Sequence, residues 1–154
     1  MYSDKTCCFT GHREISDNIS ELKARLIDVL KQQIETGIVY FGAGGARGFD
    51  ALAAQTVIEL KRTYPHIKLI LVLPCRDQTA VWSKTDVAIH EGIKQGCDKI
   101  AVLSPHYYKG CMHVRNRHLV NHSSVCICYK RKNTGRTYYT VNYAKQKGLK
   151  IIEL

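Results

Sequence analysis

The chain has 154 residues, of which 45% are hydrophobic, and it carries a formal net charge of +10. This length fits one domain with its own core, predicted to span residues 1–154, and no apolar run approaches the roughly 18 residues that a membrane span requires. The N-terminus lacks the apolar region of a signal peptide. The positive charge favours anionic partners, which include nucleotides, nucleic acid and acidic proteins.

The seven cysteines are an odd number, and no two of them form a Cys-x-x-Cys unit. Cys7 and Cys8 fall in one apolar segment that predicts a buried strand, and Cys126 and Cys128 fall in another. We therefore expect reduced, mostly buried thiols in a cytoplasmic protein. No spacing of cysteine and histidine matches a metal site, and no motif predicts a cofactor, so neither is expected.

The predicted elements alternate between strand and helix along the chain. Apolar and β-branched runs predict strands at 5–10, 38–41, 67–73, 100–103, 125–129 and 149–153. Helical spacing of apolar residues predicts helices at 20–36, 49–63, 81–95 and 112–121, and a last helix that ends near residue 147. This alternation predicts an α/β, Rossmann-like three-layer fold with a mostly parallel sheet and helices on both faces.

A glycine-rich turn joins the second predicted strand to the next helix, with glycines at 42, 44, 45 and 48. Strand, turn and helix in this order aim backbone N–H groups at one point, which suits a phosphate or another anion. Asp50 is expected to cap the helix, and Arg47 adds a cation. The alternative is that the glycines only make a tight turn. Neither a dinucleotide fingerprint nor a Walker loop is present, because Arg47 stands at the third glycine position and no Gly-Lys-Ser/Thr follows.

Further candidates follow other strands, at the sheet edge where open parallel sheets bind ligands. His12 and Arg13 follow the first strand and either contact an anion or a base, or serve only as helix-capping or solvent-exposed residues. Arg115 and Asn116 lie on the helix after the fourth strand, where an arginine can grip a phosphate or a carboxylate through two hydrogen bonds. An exposed arginine without a ligand is the alternative.

The segment before the last helix, at Thr134, Gly135 and Thr137, offers a second N-terminal anion site. Capping of the helix by Thr137 explains that residue equally well. Trp82, Tyr107 and Tyr108 are candidates for stacking on a base, although aromatic residues are more often core or loop anchors. No Ser/His/Asp, Cys/His or paired-carboxylate arrangement can be identified by spacing, so no catalytic residue is assigned.

Six segments, taken in order, resemble one known family. They are Phe9-Thr-Gly-His-Arg13, Gly44-Gly-Ala-Arg-Gly-Phe-Asp50, Leu73-Pro-Cys75, Tyr108-Lys-Gly-Cys-Met112, Arg115-Asn-Arg117 and Gly135-Arg-Thr137. They are similar to the YpsA-like branch of the SLOG superfamily, which also contains the DNA-processing protein DprA/Smf and the Lonely Guy phosphoribohydrolases. The resemblance covers nearly the whole chain. It implies a Rossmann-like fold and a bound nucleotide or nucleotide-derived, ADP-ribose-like ligand, with no settled enzymatic activity.

Together, the turns and the resemblance assign thirteen residues to the ligand. They are Gly11, His12, Arg13, Gly42, Gly44, Gly45, Ala46, Asp50, Pro74, Arg115, Asn116, Gly135 and Thr137. The phosphates are expected at 44–48 and 135–137. Replacing Gly45 with valine is expected to abolish binding and to leave the fold largely intact.

The resemblance also bears on catalysis. Lonely Guy enzymes carry Met-His-Glu-Arg-Lys with a catalytic arginine, and the segment that ends in Arg115-Asn is similar. They also carry Gly-Gly-x-Gly-Thr with a catalytic glutamate three residues after the threonine. In this chain that threonine is Thr137, Thr140 stands at the glutamate position, and Arg136 replaces the glycine. The resemblance therefore implies a binding module rather than a hydrolase of that mechanism.

Two alternatives stay open. A nucleotide-processing, phosphoribohydrolase-like hydrolase would need Asp50 or Glu91 to supply the missing carboxylate. A DprA-like nucleic-acid-binding protein would use the basic surface, since DprA carries Gly-x-Ala-Arg-Gly-Ile-Asp on a DNA-binding surface and the segment ending at Asp50 is similar. Homo-oligomerisation is left open by the sequence.

Overall fold

The computed structural model describes residues 2–154, and within them six strands form one sheet in the order β4-β3-β2-β1-β5-β6. The strands are β1 (Thr6–Gly11), β2 (Tyr40–Ala43), β3 (Lys68–Leu73), β4 (Lys99–Val102), β5 (Val125–Tyr129) and β6 (Lys150–Glu153). Every pairing of neighbouring strands is parallel, which confirms the predicted sheet.

Five α-helices connect the strands within the same residues. They are α1 (Ile19–Glu35), α2 (Phe49–Leu60), α3 (Lys84–Gly96), α4 (Cys111–Asn121) and α5 (Gly135–Gln146), and a short 3-10 helix at Tyr2–Lys5 precedes β1. One core lies between the sheet and α1 and α2, and a second lies between the sheet and α4 and α5. Helices therefore cover both faces, and the predicted three-layer α/β architecture is confirmed.

Three elements, β2, α2 and α3, differ from the sequence prediction by two or three residues at a boundary, and α2 ends at Leu60 rather than near residue 63. β2 continues to Ala43 because Gly42 pairs with both neighbouring strands, opposite Cys8 and Ile70, so one glycine of the turn lies in the sheet. α3 begins only at Lys84, after Ser83, whose hydroxyl oxygen accepts a hydrogen bond from the Asp86 amide at 3.1 Å. Val81 lies before the helix and is 90% exposed, so its apolar character does not mark the buried face.

The seven cysteines all lie within the described part of the chain, where they are free thiols. Six of them are buried and Cys97 is partly exposed, as the sequence predicted. Burial raises the pKa of the Cys128 thiol to about 12, which keeps that sulfur protonated at neutral pH. Between residues 2 and 154, no helix has the length and apolar character to cross a membrane.

The connectivity places a crevice between β1 and β5. The chain adds β2, β3 and β4 on one side of β1 and then crosses over to add β5 and β6 on the other side. At such a reversal of strand order, the loops after the two central strands diverge, and ligands of open α/β sheets bind between them. Here those loops follow Gly11 and Tyr129, which are opposite each other in the sheet.

An ion-pair network joins these two loops. Arg131, just after β5, donates hydrogen bonds to both carboxylate oxygens of Asp17, at 3.1 and 2.8 Å, and to the Leu154 carbonyl at 2.8 Å. The Tyr129 hydroxyl donates to Asp17 at 2.8 Å. The Arg131 and Tyr129 hydrogen bonds hold the pKa of Asp17 well below its usual range. The network fixes the loop after β5, which lines the crevice.

Candidate functional site

A cavity of about 360 Å³ opens at the carboxyl ends of β1 and β5. It is lined by the loop after β1, the glycine turn, the loop after β3, the first half of α4 and the start of α5. Five of its described lining side chains are cations, and one is a carboxylate, Asp50. The cations are Arg13, Arg47, Arg115, Lys132 and Arg136. This excess of positive charge makes the cavity suitable for an anion.

The glycine turn lies beside this cavity, but its amides face a carboxylate of the protein itself. Asp50 is 7% exposed, and its Oδ2 accepts a hydrogen bond from the Ala46 amide at 3.4 Å. The helix N-cap is Gly48, so Asp50 bonds the turn before α2 rather than capping the helix as predicted. Burial raises the pKa of Asp50, while the Arg115 charge and the Ala46 and Gly44 amides act in the opposite direction.

Arg115 holds the glycine turn from the opposite side. The guanidinium is buried, with 4% of the residue exposed, and its Nη1 donates a hydrogen bond to the Gly44 carbonyl. Its Nε donates to Asn116 Oδ1 at 2.7 Å, and its Nη2 lies 3.8 Å from Met112 Sδ. Burial lowers the pKa of Arg115, and the negative charge of Asp50 raises it. Arg115 is therefore a structural contact of the turn as well as a wall of the cavity.

The N-terminus of α5 forms the opposite wall. Thr134 is the N-cap residue, and its side chain makes no capping hydrogen bond in the part of the chain that the structure describes. Thr137 is already inside the helix, so the alternative that it caps α5 is wrong. Gly135 has a φ of +91°, and Arg136 extends from the same first turn. The first helical N–H groups lack intrahelical partners and carry partial positive charge, which favours an anion.

A third wall combines the loop after β3 with Arg47 of the glycine turn. The guanidinium carbon of Arg47 lies 4.7 Å from the ring centroid of Trp82, which is a cation–π distance. His90 packs against the same indole in a T-shaped arrangement, with ring centroids 5.3 Å apart. Gln78 completes this wall and donates from Nε2 to the Gly45 carbonyl at 3.3 Å. A smaller apolar cavity of about 260 Å³ continues beyond Trp82.

The structure brings nine of the thirteen predicted residues together around the cavity. They are Gly11, His12, Arg13, Ala46, Asp50, Arg115, Asn116, Gly135 and Thr137. His12 is fixed from outside, because its Nε2 accepts a hydrogen bond from the Arg131 amide at 2.8 Å. Burial and the charges of Lys132 and Arg131 lower the pKa of His12.

Four predicted residues lie outside the lining of this cavity. Gly42 is inside β2, where a Cβ atom would come 2.9 Å from Leu119 Cδ2. Gly44 lies against the Arg115 guanidinium, and Pro74 is buried just after β3. Gly45 has a φ of +70°, and a Cβ atom there would come 2.5 Å from Leu73 Cδ2. The expectation that Gly45→Val spares the fold is therefore wrong, since valine at this position collides with the core.

Two lining residues, Lys132 and Gln78, lie outside both the thirteen predicted residues and the six family segments. Lys132 belongs to a short basic run next to a turn, and such a run is equally typical of a solvated loop. It reaches the cavity only because the chain crosses over to place β5 beside β1. Gln78 carries no sequence signal beyond its position after a strand. Glu91, considered as a substitute catalytic carboxylate, lies on α3 with its side chain 53% exposed, near Lys94 at 3.5 Å. It does not line the cavity.

Comparison with known proteins shows a family match over most of the chain. The model of the YspA SLOG family matches residues 7–151, which confirms the resemblance that the motifs indicated. A UPF0398 protein of Halalkalibacterium halodurans is 29% identical over 117 residues, covering 74% of this chain and 62% of that protein. The uncharacterized SPbeta prophage-derived protein YoqJ of Bacillus subtilis is 27% identical over 139 residues, covering 82% and 81%. The chain spans less than two thirds of the UPF0398 relative's length.

Two solved structures share the fold. DNA processing protein A of Streptococcus pneumoniae aligns with a TM-score of 0.71 and 18% identity, over 99% of this chain and 50% of that one. DNA processing protein A of Helicobacter pylori, solved for its single-stranded DNA binding mode, aligns with a TM-score of 0.65 and 20% identity, over 98% and 65%. At these identities, the likeness establishes the Rossmann-like α/β fold alone.

Proposed function

The chain belongs to the YspA SLOG family, and from that premise we propose that it is a module that binds a nucleotide or a nucleotide-derived ligand by its phosphate. The observation that carries this proposal is the cavity at the reversal of strand order, with five cations and one buried carboxylate among its described lining residues. We assign the module to the cytoplasm, where its free thiols remain reduced.

We propose that the phosphate binds at the start of α5 rather than inside the glycine turn. The Ala46 amide of the turn already donates to Asp50 Oδ2, so an external anion there would compete with that carboxyl oxygen. At α5, the first helical residues line the cavity, and Lys132 and Arg136 add full charges. Three of the five N–H groups of Arg115 have partners in the described residues, which leaves two for the ligand.

The first test removes the two flexible cations. Lys132→Ala/Arg136→Ala is expected to weaken AMP binding by about tenfold or more, because charge-assisted hydrogen bonds to phosphate are lost. Isothermal titration calorimetry measures the change. The control Lys145→Ala/Lys150→Ala removes the same charge from exposed positions outside the cavity. Unchanged affinity in the first variant, or an equal loss in the control, would contradict a phosphate site at α5.

A second test concerns turnover. We expect no adenine to be released from AMP, because the position of the catalytic glutamate holds Thr140, whose hydroxyl is neutral, 3% exposed and bonded by Asn116 Nδ2 at 3.2 Å. General acid–base catalysis is worth about 10²- to 10⁴-fold, and its loss leaves binding with little turnover. Chromatography of AMP incubated with the protein detects free base. Adenine release that disappears in Asp50→Asn would show that Asp50 supplies the carboxylate and that the protein is a hydrolase.

Nucleic-acid binding is the second candidate. It is favoured by the net charge of +10 and by the shared fold of the Helicobacter pylori protein, which binds single-stranded DNA. A DNA-binding surface would extend beyond the cavity. The Lys145/Lys150 control would then lose affinity for a single-stranded oligonucleotide as much as the Lys132/Arg136 variant does, with a steep dependence on salt. Competition of AMP with the oligonucleotide would instead indicate that both use the cavity.

A further inference from the structure

We propose that Gln78 recognises the base of the bound nucleotide and selects bases with an amino group opposite the sugar, namely adenine and cytosine. This inference rests on the proposed function, because it assumes that a nucleotide occupies the cavity. Gln78 lies on the loop after β3, and neither its residue type nor the six family motifs assign it a role.

The side-chain amide of Gln78 is held in one orientation with its oxygen unpaired. The residue is 8% exposed, and its Nε2 donates to the Gly45 carbonyl at 3.3 Å. Rotating the amide by half a turn would bring two oxygen atoms together, so the nitrogen must face Gly45. Oε1 is buried and has no hydrogen-bond partner among residues 2–154. A buried acceptor without a partner is unusual in a folded protein. Because Gln78 lines the cavity, a donor group of the bound ligand can supply the missing partner.

The distance across the sheet matches a whole nucleotide. The loop after β3, which carries Gln78, is three strand spacings from the loop after β5, which leads to α5. Parallel strands lie about 4.8 Å apart, so the two loops are separated by about 14 Å. With the phosphate at α5, Gln78 therefore meets the far end of the ligand. A free phosphate ion bound at α5 would not extend as far as Gln78.

The neighbouring side chains offer flat surfaces to an aromatic ring. Arg47 lies over the Trp82 indole, and both line the cavity together with Gln78. Guanidinium and indole planes stack on bases without choosing among them. Discrimination among the bases therefore depends on Gln78 Oε1, which accepts a hydrogen bond from the amino group of adenine or cytosine. Hypoxanthine, guanine and uracil carry a carbonyl oxygen at that position, which repels Oε1 and leaves it unpaired.

The experiment compares base preference rather than absolute affinity. AMP, IMP, CMP and UMP are titrated by calorimetry into the wild type, Gln78→Leu and the control Gln55→Leu, which changes a glutamine of the adjoining apolar cavity. The wild type and the control are expected to bind AMP about tenfold or more tightly than IMP, and CMP more tightly than UMP. Gln78→Leu is expected to reduce each ratio to about twofold or less. If the leucine variant fails to fold, Gln78→Asn withdraws the amide by one methylene and is expected to lower the ratios in the same way.

Equal binding of AMP and IMP by the wild type would overturn the inference and leave the proposed nucleotide site standing. A preference that survives in Gln78→Leu would also overturn it, because another group would then recognise the base. Loss of affinity for 2′-deoxy-AMP, together with equal AMP and IMP binding, would assign Oε1 to a ribose hydroxyl and refute base selection. If none of the four nucleotides binds, the proposed function is wrong for nucleoside monophosphates, and the base selection that rests on it fails as well.

Discussion

Replacing Arg115 with alanine is expected to lower the free energy of unfolding by about 3–5 kcal/mol, which is the usual cost of removing one member of a buried charged arrangement. The guanidinium donates to the Gly44 carbonyl and to Asn116 Oδ1, so both acceptors lose their donor. Burial raises the pKa of the Asp50 carboxyl, and the Arg115 charge opposes that rise, so Asp50 would also lose a favourable interaction. Thermal unfolding should show a decrease in Tm of about 6–20 °C.

The same substitution is expected to weaken AMP binding by about tenfold or more, through the loss of a charge-assisted contact. A ligand contact and a structural contact can be separated with Arg115→Lys. Lysine keeps the charge but loses the planar fork that reaches Gly44 and Asn116 together. We expect it to restore part of the affinity and little of the stability.

Two further variants test the electrostatic part of this argument. Arg117→Ala removes a neighbouring exposed arginine of α4, which donates to the Tyr139 hydroxyl at 2.7 Å, and should change stability by only about 0.5 kcal/mol. Asp50→Asn in the Arg115→Ala background should recover part of the lost stability, because it removes the carboxylate that Arg115 had balanced. If Arg115→Ala unfolds at the wild-type temperature, the buried guanidinium does not hold the turn.

Most of the fold could be predicted from the sequence because its strands are continuous apolar runs and its helices carry regular apolar stripes. Leu22, Leu26 and Leu30 of α1 are four residues apart, and all three are fully buried. The predicted elements are wrong at positions where the local residue pattern and the packing disagree. The sequence places Gly42 in the glycine-rich turn, but in the structure it extends β2. It is paired with β1 on one side and with β3 on the other, and a strand held on both sides tolerates a residue without a side chain. Val81 is predicted to begin a helix, but in the structure it lies before α3 and is exposed to solvent.

The site could be predicted only in part, since its residues meet through the crossover of the chain. The sequence locates the glycine turn and the start of α5, because a glycine before a helix is a local signal. It does not reveal that Asp50 folds back onto the amide of Ala46, or that Arg115 reaches Gly44 over 71 residues. These contacts change the interpretation of the turn from an open anion site to one that holds its own carboxylate.

The loops after β1 and β2 are held together at Gly48. Gly48 has a φ of +77° and a ψ of −124°, a conformation that residues with a side chain rarely adopt. A Cβ atom at this position would come 2.0 Å from the Arg13 carbonyl oxygen, and the neighbouring Phe49 amide donates to the His12 carbonyl at 3.1 Å. The glycine thus lets the turn rest directly on the backbone that carries His12 and Arg13 into the cavity.

Gly48→Ala is therefore expected to cost about 2–6 kcal/mol, from about 1–3 kcal/mol of backbone strain and about 1–3 kcal/mol of overpacking. Gly110→Ala is the matched control, because Gly110 is also a helix N-cap with positive φ, at +92°, but a Cβ atom there would have nothing within 4 Å. It should show only the backbone strain. Denaturant unfolding of the two variants measures the difference, and AMP titration should show a loss of affinity for Gly48→Ala alone, since only that collision moves Arg13. Equal stability and equal affinity in the two variants would mean that the loops are not packed as the structure describes.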